Sequence, residues 1–250
     1  MKKIYSIPIV MFAVVLGVAL VFSACKKDSQ ITPDQTAVKG SGNMGGNELP
    51  CDDLVYPVSP ITAEEEEMLI YSREEEKLAR DVYLMLYGQY GMNIFNNIAA
   101  SEQTHMDKVL CLIVHYGLED PASSEIGVFS NPELQQLYND LIDLGSSSRL
   151  NAMIAGATIE DFDINDLEDF MIVATNSSVL SVFGSLCCGS RNHLRSFADQ
   201  IEKRGATYTP QYISQEYYDW IINSEPENCG DMDGNSYRYN YRYRHQNGSD

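Results

Sequence analysis

The feature that most constrains this fold is a glutamate and a histidine on an otherwise apolar helix face. Glu102 and His105 are three residues apart. The other positions on their face are apolar: Phe95, Ile98, Val109 and Leu112. Spacings of three and four place all six on one side of an α-helix. Burying a carboxylate and an imidazole costs free energy unless a hydrogen-bond partner or a metal ion compensates them. The pattern therefore predicts either a bound metal ion or a helix face that is exposed to solvent.

Residues 1–24 are predicted to be a lipoprotein-type signal peptide. A short basic start precedes an apolar run, Ile7 to Phe22, and small residues then lead into Cys25. The run from Val21 resembles a bacterial lipobox, so Cys25 is the expected lipidation site, although Phe22 is an unusual occupant. An uncleaved anchor is the alternative, since about 16 apolar residues fall just short of a span of roughly 20. Both interpretations predict a cell-envelope protein tied to the membrane, on the periplasmic or cell-surface side.

The remaining chain divides by composition. Residues 25–58 are rich in small and polar types and are expected to form a flexible tether. Residues 59–224, about 165 positions, have the size of one ordinary domain. Residues 225–250 alternate Tyr, Arg and Asn without periodicity and are expected to be a disordered tail.

The charge balance excludes one class of partner. The chain has 17 basic and 36 acidic residues and a net charge of −19. Such a surface repels phosphate backbones, so nucleic acid is not expected as a partner.

The six cysteines are compatible with disulfides in an oxidising compartment. Cys51 and Cys229 flank the domain and are a candidate pair, whereas the adjacent Cys187 and Cys188 cannot easily bond to each other. No C-x-x-C pair is present, so neither a zinc ribbon nor a rubredoxin-type iron site is expected.

Periodicity and capping signals predict an all-α fold. Thr62 to Glu65 forms a capping box that opens the first long helix, and Asn131-Pro132 starts a shorter one. The predicted helices span about 62–87, 93–116, 131–145, 149–174, 179–204 and 215–222. Four long amphipathic helices favour an up-down four-helix bundle with short additional helices.

Each of the other long helices also carries a polar residue on its apolar face. Glu75 and Glu76 lie on neighbouring stripes of the first helix, and periodicity alone does not separate them. Glu160 interrupts the apolar stripe of the third long helix, predicted over 149–174, where Asp163 could share a metal site. His193 on the fourth mirrors His105. One metal site would explain this joint placement.

Four segments together carry a family resemblance: residues 73–83, 100–106, 156–160 and 189–195. They resemble a bacterial and archaeal ferritin-like family that is labelled a domain of unknown function, over about residues 59–212. Residues 76–83 also resemble the Glu-x-x-Ala-Arg-x-x-Tyr pattern of the first rubrerythrin helix. The resemblance implies a ferritin-like four-helix bundle. It also implies that Glu76 is a metal ligand, with Glu75 in reserve, and that Tyr83 lies beside the metal in a catalytic role.

The resulting expectation is a metal site of five ligands: Glu76, Glu102, His105, Glu160 and His193. Iron, two ions per chain, is the expected cofactor, with manganese or zinc as alternatives. The ferritin-like pattern has a glutamate where this chain has Ser190. Asp163, Asp166 or water are the candidate substitutes.

Three functions are compatible with these residues. The first is an oxidoreductase acting on peroxide, oxygen or ferrous iron. It would need an external electron donor, since the chain has no rubredoxin, flavin or haem motif. The second is a non-catalytic metal-binding lipoprotein, and the third is a structural helical-bundle lipoprotein that binds a protein partner.

Overall fold

The computed structural model describes Cys51 and residues 59–229. This part of the chain contains six helices and no strand: α1 (Ala63–Tyr90), α2 (Asn93–His115), α3 (Pro132–Ser146), α4 (Arg149–Val173), α5 (Ser177–Glu202) and α6 (Gln215–Asn223). The all-α prediction is confirmed, and the predicted helix ends lie within about three residues of the observed ones. No helix here is long and apolar enough to cross a membrane. The predicted signal peptide, the lipidation site Cys25 and most of the tether lie outside the described residues.

The helix ends follow from local sequence. Thr62 caps α1, because its side chain accepts from Glu65 N at 3.2 Å while Glu65 Oε2 accepts from Thr62 N at 2.8 Å. Gly91 ends α1 in the left-handed conformation at φ 63°, where a glycine has no Cβ to clash. Asn131 caps α3 ahead of Pro132. These signals are local, which is why the sequence predicts them well.

Contacts at two levels fix the directions of the long helices. Tyr71 of α1 packs edge-on against Phe170 of α4, with ring centroids 6.0 Å apart, whereas Tyr83 further along α1 reaches the Gly156 carbonyl at 3.3 Å. Residue numbers rise along α1 as they fall along α4, so these helices are antiparallel. The short turn at Gly91 makes α1 and α2 antiparallel as well. α2 and α4 therefore run in the same direction.

The segment between α2 and α4 is a crossover that runs beside α1 from about Glu74 to Tyr90. Near its middle, Ser130 and Asn131 donate backbone N–H groups to the Glu74 carboxylate. At its end, Gln89 and Tyr90 donate to the Ser146 and Gly145 carbonyls, both at 2.9 Å. α3 lies in this crossover and covers α1. The bundle thus consists of two antiparallel hairpins, α1/α2 and α4/α5, joined by one long connection.

An aromatic cluster fills the core beneath the polar residues. The rings of Tyr83, Phe95 and Phe197, from three different helices, have centroids 5.4–6.2 Å apart. Each is fully buried. This packing fixes the spacing of α1, α2 and α5 at the depth of the candidate site.

The disulfide expectation is wrong in its pairing. Cys51 bonds to Cys111 of α2, and Cys188 of α5 bonds to Cys229, with Cα–Cα distances of 5.5 and 5.6 Å. Each terminal cysteine is thus tied to a helix, whereas the sequence paired the two termini with each other. Cys187 forms no disulfide.

Residues 225–229, which the sequence places in the tail, lie against α5. The Glu227 carboxylate pairs with Arg191 and, at 3.0 Å, with Arg195. Asn192 donates its amide to the Glu227 carbonyl at 2.9 Å. Together with the Cys188–Cys229 bond, these contacts hold the segment in place.

Candidate metal centre

The structure brings together all five side chains proposed as ligands. Each is at most 9 % exposed, and they come from four helices: Glu76 from α1, Glu102 and His105 from α2, Glu160 from α4 and His193 from α5. We call this group the five-residue cluster. Its position at the centre of the bundle explains why each of these residues interrupts an apolar helix face.

Glu102 lies in the middle of the cluster and faces both histidines. Its Oε2 is 2.8 Å from His105 Nδ1, and its Oε1 is 2.8 Å from His193 Nδ1. The two imidazole rings are nearly stacked, with centroids 5.7 Å apart and an interplanar angle of 29°. Because each carboxylate oxygen lies beside a different histidine, Glu102 is placed to contact two metal positions at once.

Each histidine also has a carboxylate of its own. His105 Nδ1 is 3.2 Å from Glu76 Oε2, and His193 Nδ1 is 3.4 Å from Glu160 Oε2. The cluster therefore separates into two triads that share Glu102: Glu76, Glu102 and His105, and Glu102, Glu160 and His193. Within each triad the ligand atoms lie within 4.8 Å of one another, close enough to hold one ion.

Two neighbours orient the imidazole rings. His193 Nε2 is 3.1 Å from Ser101 Oγ, so a proton on Nε2 is satisfied by the hydroxyl and Nδ1 is left for the cluster. Gly189 makes room for the other ring, since a Cβ at this position would lie 2.6 Å from Cε1 and Nε2 of His105. Neither Ser101 nor Gly189 was predicted from the sequence to have a role at the site. A glycine in the middle of α5, one turn before His193, was the available signal of a close approach.

Tyr83 is fully buried, and its hydroxyl donates to Glu160 Oε1. Burial raises the pKa of Tyr83 well above its usual range, and the negative charge of Glu160 raises it further. The phenol therefore stays protonated and acts as a donor. This contact fixes the orientation of Glu160, so that its other oxygen faces His193.

The electrostatics of the cluster require positive charge. Burial raises the pKa of Glu76 to about 7, against the attraction of His105. For Glu102 burial opposes ionisation, but His193 and His105 outweigh it and hold its pKa well below the usual range.

The imidazoles respond in the opposite sense. Burial disfavours the charged form of His105, yet Glu76 and Glu102 raise its pKa to about 10. Three buried carboxylates thus demand either protons on the imidazoles or metal ions.

Three ligand atoms of the five-residue cluster have no hydrogen-bond partner in the described part of the chain, as is expected of atoms that bind a metal ion. Glu76 Oε1, Glu102 Oε1 and His193 Nδ1 are buried and have no hydrogen-bond partner among the described residues, although the last two are 2.8 Å apart. Ligand atoms about 2.1 Å from one ion lie about 3 Å from each other, without pointing at each other. Carboxylate and imidazole donors suit iron, manganese or zinc. The donor set therefore fits a pair of divalent ions.

Ser190 lies where the sequence pattern expected a sixth ligand. Its hydroxyl donates to Asp163 Oδ2 and contacts the Leu186 carbonyl at 2.9 Å. Asp163 is 5 % exposed and its ligand atoms are not part of either triad. Glu75, the reserve ligand on α1, also lies outside both triads, and Asp166 is only half-buried.

The fold and the cluster together define a class: an all-helical bundle with a buried carboxylate–histidine group able to hold metal. The chain belongs to the family described as "Uncharacterized protein domain (DUF2202)", which its sequence matches over residues 65–225.

One relative is "Uncharacterized protein MJ0754" of Methanocaldococcus jannaschii. It is 51% identical over 172 residues, covering 68% of this chain and 93% of the relative. The crystal structure titled as hypothetical protein MJ0754 superposes with a TM-score of 0.68 at 50% identity, covering 68% of this chain and 98% of that one.

Proposed function

We propose that this protein is a ferritin-like metal-carboxylate protein that holds two ions, iron first, in the five-residue cluster. The observation that carries the proposal is the position of Glu102, whose two carboxylate oxygens each lie 2.8 Å from a different histidine Nδ1. Three carboxylates and two neutral imidazoles would offset most of the charge of two divalent cations. Manganese and zinc are the alternatives for the same donor set.

Two further features support the ferritin-like assignment. The bundle has two antiparallel hairpins joined by one long crossover, which is the connectivity of ferritin-like folds. Glu102 and His105 supply the Glu-x-x-His unit that such folds place on a core helix. The second such unit is altered here, because Ser190 stands three residues before His193.

We further propose an oxidoreductase that acts on peroxide, oxygen or ferrous iron. Bound iron would supply the one-electron redox chemistry. Glu76, Glu102 and Glu160 would hold the charge of the ions, and the two imidazoles would set their spacing. The aromatic cluster of Tyr83, Phe95 and Phe197 keeps bulk water away from one side of the site. Turnover would need an external electron donor.

We place this protein at the cell envelope, anchored through a lipid on Cys25. The two disulfides support the assignment, because disulfides persist in oxidising compartments outside the cytoplasm. The partners of such a protein are metal ions, a small oxidant, an electron donor and the membrane, whereas its acidity disfavours nucleic acid.

The test is metal content in the full chain, measured by mass spectrometry after expression with added iron. Two ions per chain are expected in the five-residue cluster, and Glu102→Ala combined with His105→Ala should lower the metal count by two. Thr104→Ala is the matched control, because Thr104 lies between these residues in sequence but is exposed. Iron-loaded protein is then assayed for peroxide and oxygen consumption.

The outcomes separate the candidate functions. Bound metal without turnover would leave a metal-binding lipoprotein. No metal after reconstitution with iron, manganese and zinc in turn would overturn the proposal and leave the structural bundle.

A further inference from the structure

A row of carboxylates runs along α4 from the surface to the five-residue cluster. Glu160, Asp163 and Asp166 recur every three residues and so lie on one side of the helix. Their burial decreases along the row: Glu160 is 2 % exposed, Asp163 is 5 % exposed and Asp166 is half-buried. The row therefore connects the cluster with solvent.

Glu75 of α1 faces this row. Tyr71, one turn earlier, packs edge-on against Phe170 and hydrogen-bonds to Asp166, so this face of α1 is turned towards α4. Because α1 and α4 are antiparallel, the next turn of α1 lies beside the preceding turn of α4. Glu75 thus lies on the side of α1 that faces α4, where the charges of Asp163 and Asp166 act on it, while its neighbour Glu76 is 3.2 Å from His105.

Glu75 is a buried carboxylate without compensation. It is 2 % exposed, and neither of its oxygens has a hydrogen-bond partner among residues 59–229. The charges that act on it belong to other carboxylates: Asp166, Asp163 and Glu76. An uncompensated acid in an acidic surrounding is costly, and a cation would remove that cost.

A cation beside Glu75 would be held partly by water. The described residues form only two groups whose ligand atoms all lie within 4.8 Å, and neither contains Glu75, Asp163 or Asp166. Three carboxylates at wider spacing leave room for water in the coordination shell. Oxygen ligands combined with water suit a hard divalent ion, and the absence of a histidine distinguishes this position from the cluster.

We propose that Glu75, Asp163 and Asp166 form a third cation position, which takes Fe²⁺ or Mn²⁺ from solvent and delivers it to the five-residue cluster. The proposal rests on the proposed function of that cluster. Glu75 and Glu76 are consecutive, so an ion at Glu75 is one residue away from the first triad.

The test is a titration of the metal-free full chain with Mn²⁺. The electron paramagnetic resonance signal gives the concentration of free Mn²⁺, and the difference from the amount added gives the number of bound ions. The wild type is expected to bind three ions, and Glu75→Gln to bind two. Glu67→Gln, on the same helix but exposed, is the matched control and should bind three. Glu102→Ala with His105→Ala should keep the third position and retain one ion.

The counts separate the two proposals. Two ions in both the wild type and Glu75→Gln would overturn the third position and leave the five-residue cluster intact. No bound ion in the wild type would overturn both. Three ions in Glu75→Gln would overturn the role of Glu75. Circular dichroism checks the fold, and Asp166→Asn, at a half-buried position, gives a second variant that is also expected to bind two.

Discussion

Oε1 of Glu102 on α2 lies 2.8 Å from Nδ1 of His193 on α5, and no hydrogen bond joins the two atoms. Together with Glu160, the two residues offer ligand atoms that lie within 4.8 Å of one another, close enough to hold one ion. This spacing depends on the separation of the two helices, so residues that set the distance between α2 and α5 control the site even when they bind nothing themselves.

Gly189→Ala tests this control. The added Cβ would lie 2.6 Å from two atoms of the His105 ring, so the ring has to move away from its present position. Displacing or misorienting a ligand typically weakens metal affinity by about 10–100-fold. We expect that loss in a competition titration with a chelator, with helix content unchanged by circular dichroism.

Gly88→Ala is the matched control, because a Cβ there meets nothing within 4 Å. It should keep full affinity and raise stability by up to about 1 kcal/mol, since alanine is the better helix former. Equal affinity for the wild type and Gly189→Ala would contradict the close approach of Gly189 to His105.

Metal removal should lower the stability of the folded chain. An ion that binds only the native state, held at about 100 times its dissociation constant, stabilises by roughly 2.7 kcal/mol. For a domain of this size, that corresponds to a fall in Tm of about 5–11 °C. Calorimetry with and without a chelator measures it. The Glu102→Ala, His105→Ala variant should show a smaller fall in Tm than the wild type, and a wild type indifferent to chelator would contradict metal binding.

Glu65 gives the fold an acid dependence that is separate from the metal site. Its Oε1 accepts the backbone N–H groups of Thr175 and Asn176 at 2.6 and 2.7 Å, and so ties the start of α1 to that of α5. Burial disfavours the charged form of Glu65, but these backbone hydrogen bonds, with that from Thr62, outweigh it and lower its pKa below the usual 4.5.

Glu65→Gln should therefore be destabilised at pH 7 and not at low pH. A lowered folded pKa stabilises above the unfolded pKa of 4.5, and this contribution is lost as the pH falls through the folded value. At pH 7 the variant should lose about 1.5–3 kcal/mol, because charge-assisted hydrogen bonds are replaced by an amide. Urea unfolding at several pH values measures the loss. Glu66→Gln, at an exposed position, should match the wild type throughout.

Local signals made most of the helices predictable. The Thr62–Glu65 capping box and the Asn131-Pro132 start are contained within a few residues, and the structure has both. The crossover was not predictable in this way. It depends on contacts between distant residues, such as the hydrogen bond from Gln89 to Ser146, for which the sequence has no short-range pattern. The same reason explains the wrong cysteine pairing, since Cys51 and Cys111 become neighbours only after folding.

The candidate site was predictable to the extent that each residue lies on a helix face. Glu102 and His105 could be found because a charged pair stands out in an apolar stripe. Ser101 could not, because its contact with His193 spans two helices and leaves no periodic signal. Glu75 and Glu76 also could not be separated by periodicity. They differ in which helix they face, and the contacts of Tyr71 and His105 decide that.

Tyr83→Phe distinguishes a positioning role from a redox role. The Tyr83 ring should keep its packing against Phe95 and Phe197, so the fold should survive, while the Glu160 carboxylate loses its donor. A positioning residue predicts weaker metal binding by about 10–100-fold, as for other groups that orient ligands. Tyr90→Phe is the control, since its hydroxyl serves the Gly145 carbonyl outside the cluster. Unchanged metal content with lost peroxide or oxygen turnover would instead indicate that the phenol itself takes part in an electron or proton transfer.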